Sequence, residues 1–540
     1  MLSASTSSRA VFQRRGFRRV LIGAADPRLT PHAGVATVTE VDRVLGITDA
    51  LDGAVGPVKA RRRGLTAGAL LVSMASAQLA GVDFLVGMDR RRSDTAGQLL
   101  EPVPTPASTT TAQLAKRFTP THLAGIENGI GVVNARVMRL LPARRRTQLL
   151  ASATIDGDTT DVEVYGTKKQ DAVYNYQGQR AYRPHIAFWA EGGVTLAADL
   201  MKADEDPRPV APQLLDRAIA QLPPGVQRIR CRWDAGYFAG DLAKHCINRG
   251  VEFAIGVKRN SAVVRASRSA PVGGWHPAKD MEHTEVAVID YLPGTWPADA
   301  GVVCIARRTR IPLELVPTDS RARKLRTIDK TQLALALEGK LDHVYGYSFI
   351  LTNLDVSTPK KLVQTEHWYR HRTDIEALNR DAKHGAALRH LPSGNRTVNT
   401  VWMWAALLAC AISNWIQEIT GIDDGRGRLR RTVARMRREL FNIPARITRT
   451  NRAPTLQTPP DPGLLTFVLT RLQNLPTTPH RIIGRTPAAR QPQDPEPPHT
   501  RRASRVISTP TTGHYHNEPG KPDIPPKART TTNRYSRIRV

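Results

Sequence analysis

The chain has 540 residues and carries 78 Lys and Arg against 48 Asp and Glu, a formal net charge of +30. Its 41% hydrophobic content can build ordinary folded cores, which excludes wholesale disorder. A charge surplus of this size opposes compaction unless a polyanion or a disordered tail takes up part of it, so nucleic acid is the expected partner. Cys231, Cys246, Cys304 and Cys410 are far apart and form no Cys-x2-Cys pair, so neither a disulfide framework nor a structural zinc site is expected. The longest apolar run, Val401 to Ile416, is broken by Ser413 and Asn414 and is too short to span a bilayer. The chain is therefore expected to be soluble and cytoplasmic, associated with a bacterial nucleoid.

Residues 1–29 read as a basic flexible arm, with five Arg and no acid in the first 25 positions. Residues 30–145 read as a helical domain. Thr39-Glu40-Val41-Asp42 resembles a capping box ahead of Val41, Val44, Leu45 and Leu51 at helical spacing. A Pro/Ser/Thr-rich stretch, Glu101 to Thr111, separates these from a helix around Ile126–Leu141. From Gln148 the period changes: Leu149–Asp158, Val162–Tyr165, Ala181–Ala190 and Val194–Ala198 read as extended. A helix (Gln213–Gln221), a strand (Arg228–Trp233), a helix (Ala239–Asn248) and a strand (Phe253–Val257) follow, so residues 146–258 form the first part of a mixed α/β layer. Residues 259–345 break the alternation and read as a β-rich insertion, with strands at Glu285–Tyr291 and Gly301–Arg307. Helical periodicity returns over 346–424, at Thr365–Ala387 and Thr397–Ile419. Residues 425–540 hold 23 Lys and Arg against 6 Asp and Glu. Arg426–Glu439 reads as a basic helix, and the Pro/Thr/Arg mixture beyond Pro454 as mostly disordered, because it cannot repay its ordering entropy.

Three acidic contexts stand out. In Ile155-Asp156-Gly157-Asp158-Thr159-Thr160 a strand runs into two Asp, and period-2 alternation puts Asp156 and Asp158 on one face. In Arg230-Cys231-Arg232-Trp233-Asp234-Ala235-Gly236 an Asp ends a central strand ahead of a small-residue turn, where ligand-binding groups of α/β sheets cluster. In the third, Tyr369, Arg372, Glu376 and Lys383 lie at offsets that fall within about 60° on a helix, giving one face a hydroxyl, a guanidinium, a carboxylate and an ammonium. Three carboxylates can hold two Mg²⁺ ions about 3.5–4 Å apart, and oxygen ligands suit Mg²⁺. Such ions polarise a phosphodiester and activate an attacking water.

These residues resemble the DDE transposases of bacterial insertion sequences, in particular the large branch marked by Tyr-x2-Arg-x3-Glu-x6-Lys, here Tyr369, Arg372, Glu376 and Lys383. Asp234-Ala235-Gly236-Tyr237-Phe238 resembles the second-Asp motif. Asp158 through Val164-Tyr165-Gly166 to Tyr176-Gln177-Gly178-Gln179-Arg180 resembles the segment after the first Asp. The resemblance implies an α/β, RNase H-like catalytic core interrupted by the β-rich insertion, for which the 142 positions between Asp234 and Glu376 leave room. It also implies Asp158, Asp234 and Glu376 as ligands of two Mg²⁺ ions, with Mn²⁺ as a substitute. Asp156 stays open as the alternative first ligand. Further implications are phosphate contacts from Tyr369, Arg372 and Lys383, and base stacking by Trp275 or Trp296. By the same analogy the N-terminal helices bind DNA or pair two subunits, the chain acts as a dimer on DNA, and its substrates are double-stranded terminal inverted repeats and target DNA. Two other readings stand beside this one. The Asp-x-Asp-x-Thr segment resembles the nucleophile loop of haloacid-dehalogenase-type phosphatases, but the later Lys and acidic motif of that fold are not found. A transposase-derived protein that binds DNA without cutting would also carry the charge.

Overall fold

The computed structural model describes residues 23–477, apart from 62, 269, 321–322, 324–327, 329, 426–429 and 451–452. The basic arm before residue 23 and the chain beyond residue 477 lie outside these.

The first helices, Ala36–Leu45 and Ile47–Val55, are hinged by Gly46, whose φ of 57° is left-handed and therefore suits glycine. The expected capping box at Thr39 is not formed. The helix has already started at Ala36, and the Thr39 hydroxyl donates to Leu100 O instead. Helix Ala67–Leu79 is buried at every position because its residues are small or apolar all round, without a polar face. Helix Pro120–Leu140 starts with Thr119 as N-cap and Pro120 at N1, where the missing N–H costs nothing. Ala143–Ala151 is helical, so the strand expected from Leu149 begins later, at Ala153.

The strands in chain order are β1 (Leu29–Thr30), β2 (Ala153–Thr159), β3 (Val162–Glu163), β4 (Val173–Tyr174), β5 (Arg180–Trp189), β6 (Val194–Lys202), β7 (Ile229–Trp233) and β8 (Glu252–Gly256). They continue with β9 (His276–Pro277), β10 (Thr284–Ile289), β11 (Val303–Pro312), β12 (His343–Thr352), β13 (Ala445–Thr450) and β14 (Ala453–Gln457). β5 runs antiparallel to β2 and β6, while β2, β7 and β8 are mutually parallel neighbours. Helices Ala211–Ala220 and Gly240–Asn248 provide the crossovers that parallel strands require. The strands of 259–345 do not form a sheet of their own. β12 pairs with β8 at one end and along its whole length with β11, so β12, β11, β10 and β9 extend the same sheet.

Helix Arg396–Thr420 runs through the centre of the molecule and buries Trp402, Trp404 and Trp415. The indole N–H groups of Trp402 and Trp415 donate to Ala387 O and Asn134 Oδ1, which satisfies their polar atoms inside the core. Among the described residues no helix is long and apolar enough to cross a membrane.

Two expectations for the C-terminal region are corrected. Val433–Met436 passes into a π-helical turn, Arg437–Phe441, in place of a regular basic helix. Past Pro454 the disorder expected does not hold for residues 455–477, which are ordered; the rest of that expectation, residues 478–540, lies outside the described residues. β13 pairs with β14 and with β1. Helix Gly463–Gln473 buries Leu465, Val468 and Leu472 and is held at its C-terminal end by Arg43 Nη2 donating to Leu472 O. An apolar stripe of three residues outweighed the Pro-rich flanks.

Candidate active site

β2 and β7 lie side by side with Asp156 opposite Arg232 and Gly157 opposite Trp233. One position further on, both strands end in an acid: Asp158 on β2 and Asp234 just past β7. Gly157 makes this register possible. A Cβ there would stand 1.8 Å from Cζ3 of Trp233, whose ring is buried against the glycine. Asp234 Oδ1 accepts the Gly236 N–H at 2.8 Å and so turns the chain at the strand end.

The signature residues do not lie on one uninterrupted helix. Pro359–Arg370 and Thr373–His384 are separate helices, so the single helical face expected over Thr365–Ala387 is corrected. Neither Pro nor Gly is present to break the helix. In a continuous helix Trp368 O would accept the Arg372 N–H; here it accepts from Arg232 Nη1 and, in a tighter turn, from the His371 N–H at 3.2 Å, and the Arg372 N–H turns to Tyr369 O at 3.0 Å. A side chain entering the ladder is a recognised cause of a kink. The second helix then places Asp374 and Glu376 in its first turn, where the helix dipole favours negative charge.

Arg232 is the hub beneath the site. Its Nε and Nη2 donate to Asp156 Oδ1 and Oδ2 at 2.6 and 2.7 Å, and Nη2 stands 3.8 Å from Asp374. Its guanidinium also packs against the Trp368 ring. Asp156, Arg232 and Asp374 each precede one acid of the site by two positions: Asp158, Asp234 and Glu376. Asp156 is fully buried, and its two oxygens accept from Arg232 Nε and Nη2.

Burial pushes the Asp158 carboxyl up to about 6, the Asp234 and Glu376 charges add to the rise, and Arg372 opposes it. Asp158 Oδ2 accepts from Asn379 Nδ2 at 3.1 Å. Arg372 Nη2 donates to Glu376 Oε1 at 3.1 Å, and Glu376 is half exposed. Burial lowers the Arg372 pKa, but Tyr369, Asp158, Asp234 and Glu376 together raise it above the ordinary value. Tyr369 Oη donates to Trp233 O at 3.1 Å, and burial pushes its pKa up to about 12, so it is a neutral donor. Lys383 Nζ donates to Thr160 Oγ1 at 2.6 Å and Asp161 O at 2.8 Å, clamping the chain just past Asp158.

Trp296 is buried against Phe238 and Phe253. Trp275 is half-buried, with the Arg308 guanidinium 4.0 Å from its ring centroid. The supports Arg232 and Asn379 were not singled out in the sequence. Arg232 shares the strand alternation of Asp234, and Asn379 lies three positions after Glu376 on the same helix face, so both left a periodic signal.

Among the described residues no three His, Cys, Asp or Glu side chains stand close enough to enclose one ion, so the three carboxylates form an open set. The donors nonetheless fit a hard divalent cation: all are carboxylate oxygens, and their repulsion shows in the raised Asp158.

No curated protein matches the chain. Among solved structures the chain is similar to the piggyBac transposase in a cryo-EM synaptic complex with hairpin DNA, at 10% identity and a TM-score of 0.37, covering 75% of this chain and 78% of that one. The model of the family described as transposase DDE domain, group 1, matches residues 12–477. That match takes in β2, β7 and the Glu376 helix together, and the chain belongs to this DDE transposase family.

Proposed function

We propose that this protein is a DNA transposase of the insertion-sequence branch with the Tyr-x2-Arg-x3-Glu-x6-Lys signature, cutting and joining DNA at the ends of its element. The observation that supports this reading is that Asp158 and Asp234 follow paired positions of the neighbouring parallel strands β2 and β7, while Asn379 of the Glu376 helix donates to Asp158. The antiparallel meander β2-β5-β6 beside the parallel pair β7-β8 supports an RNase H-like core. Asp158, Asp234 and Glu376 would hold two Mg²⁺ ions, or Mn²⁺ in their place, which when bound polarise the scissile phosphodiester and lower the pKa of the attacking water.

The other residues position. Asn379 orients the Asp158 carboxylate, and Tyr369 fixes the peptide that leads into Asp234. Lys383 holds the chain beyond Asp158. Arg372, among the three acids, is the cation available to the phosphate that reacts there. Water cuts at the element end, and the freed 3′-hydroxyl attacks a second phosphodiester in the target. The N-terminal helices would bind the terminal inverted repeats or pair two subunits, since two ends have to be joined.

The test is Asp234→Asn with a duplex carrying the element end. The variant is expected to bind with wild-type affinity and to lose Mg²⁺-dependent nicking by at least a hundredfold. Nicking that survives in the variant removes Asp234 from the site, and binding without nicking by the wild type leaves a DNA-binding protein that does not cut.

A further inference from the structure

The gap between the two signature helices also opens on a second cavity of about 540 Å³, bounded by Met281, Arg307 and the segment Tyr369–Thr373. Arg307 comes from β11 in the sheet extension and Arg370 from the end of helix Pro359–Arg370. One fully buried carboxylate, Glu366, holds both. Arg307 Nη1 donates to its Oε1 at 2.8 Å, and Arg370 Nε donates to Oε1 at 2.9 Å and Oε2 at 3.0 Å. Arg370 Nη2 also donates to Lys279 O.

Two features of this arrangement call for an anion. One carboxylate balances only one of the two guanidiniums it orients, and surplus charge in a partly desolvated place is costly. Arg372, on the wall shared with the carboxylates, buries its Nη1 without a hydrogen-bond partner of good geometry. Buried donors are normally satisfied, and the neighbouring Tyr369 hydroxyl does not give this one a well-aligned acceptor.

We propose that this cavity is a phosphate pocket, in which Arg307 and Arg370, with Nη1 of Arg372 shared from the catalytic side, grip a phosphodiester of the DNA strand next to the one presented to Asp158, Asp234 and Glu376. This rests on the transposase reading and extends it to residues outside the signature. Guanidinium forks match phosphate oxygens in pairs. Glu366 is a positioning residue: by fixing two forks in advance it removes the ordering cost that free arginines would meet on binding. Because Arg307 belongs to the sheet extension, the extension reaches DNA through this pocket.

The experiment measures binding of the full-length protein to a duplex carrying the element end, across a series of salt concentrations. Arg307→Ala is expected to weaken binding several-fold and to lower the slope of log affinity against log salt by about 0.9, the value for one phosphate contact. Arg307→Lys keeps a charge against Glu366 and is expected to keep the slope while losing several-fold in affinity, because a point charge does not replace the fork. A thermal melt of each variant reports folding, and Arg307→Lys carries the test if Arg307→Ala melts early. Wild-type affinity and slope in the folded variants overturn the pocket and leave only a structural brace. Mg²⁺-dependent nicking by the wild type, followed on the same duplex, tests the transposase reading separately, so either can fail without the other.

Discussion

Asp158 ionises near 6 in the folded protein, against a carboxylate's ordinary 3.8, because it is buried beside two other acids. Folding therefore favours its protonated form: the contribution of this one group to stability is most favourable below about pH 4, falls as pH rises from about 4 to about 6, and stays lower above. At about 1.4 kcal/mol per pKa unit, the loss is on the order of 2–3 kcal/mol at neutral pH. Asp158→Asn keeps an oxygen for the Asn379 amide and removes the charge. It is expected to abolish cleavage while raising the melting temperature at neutral pH by roughly 2–4 °C. The gain should vanish below about pH 4, and a neutral-pH melting temperature at or below wild type would contradict it. At this scale residue type and context in the sequence pick out the acids at the strand ends. What strand alternation cannot tell apart is the surroundings of Asp156 and Asp158, which it puts on one face; the ion pair of Asp156 with Arg232, 76 positions away, is visible only in the fold.

Among elements, β2 and β7 set the spacing of the first two acids. Gly157→Ala would drive a methyl group into the Trp233 ring. Separating the strands or expelling the buried indole is expected to destabilise the protein by at least 3 kcal/mol, comparable to removing a large core aromatic. Denaturant unfolding of the variant measures this, and a change below 1 kcal/mol would mean that the two strands do not pack as described. Most strands were legible because apolar alternation survives in any context. The break at residues 371–372 was not, since it arises from a guanidinium of another element entering the helix and leaves no Gly or Pro in the sequence. The capping box at Thr39 failed for a related reason: a three-residue turn, Ala33–Val35, starts the helix one turn early.

For the whole molecule, the ordered C-terminal segment belongs to the fold. Helix Gly463–Gln473 buries three apolar side chains against the rest of the protein, each worth roughly 1.5–3 kcal/mol. Truncation after Pro454 is therefore expected to lower stability by about 5 kcal/mol relative to truncation after Thr477, a difference that the two melting temperatures report. Equal melting temperatures for the two truncations would show that this helix does not support the core. Composition misled here, because a short apolar stripe between prolines hardly changes a window average. The β-rich character of 259–345 was legible from composition, while its continuity with the central sheet depends on β12 pairing to β8, a contact about a hundred positions apart in sequence.

Under the three acids lies a single guanidinium, that of Arg232, linked to the segment leading into each of them. Its charge is taken up by Asp156, so it works as a brace, while Arg372 is the cation that faces the acids and opposes the rise of Asp158. One buried ion pair thus ties together the approaches to all three, and a change at Arg232 would be felt at every corner of the site at once.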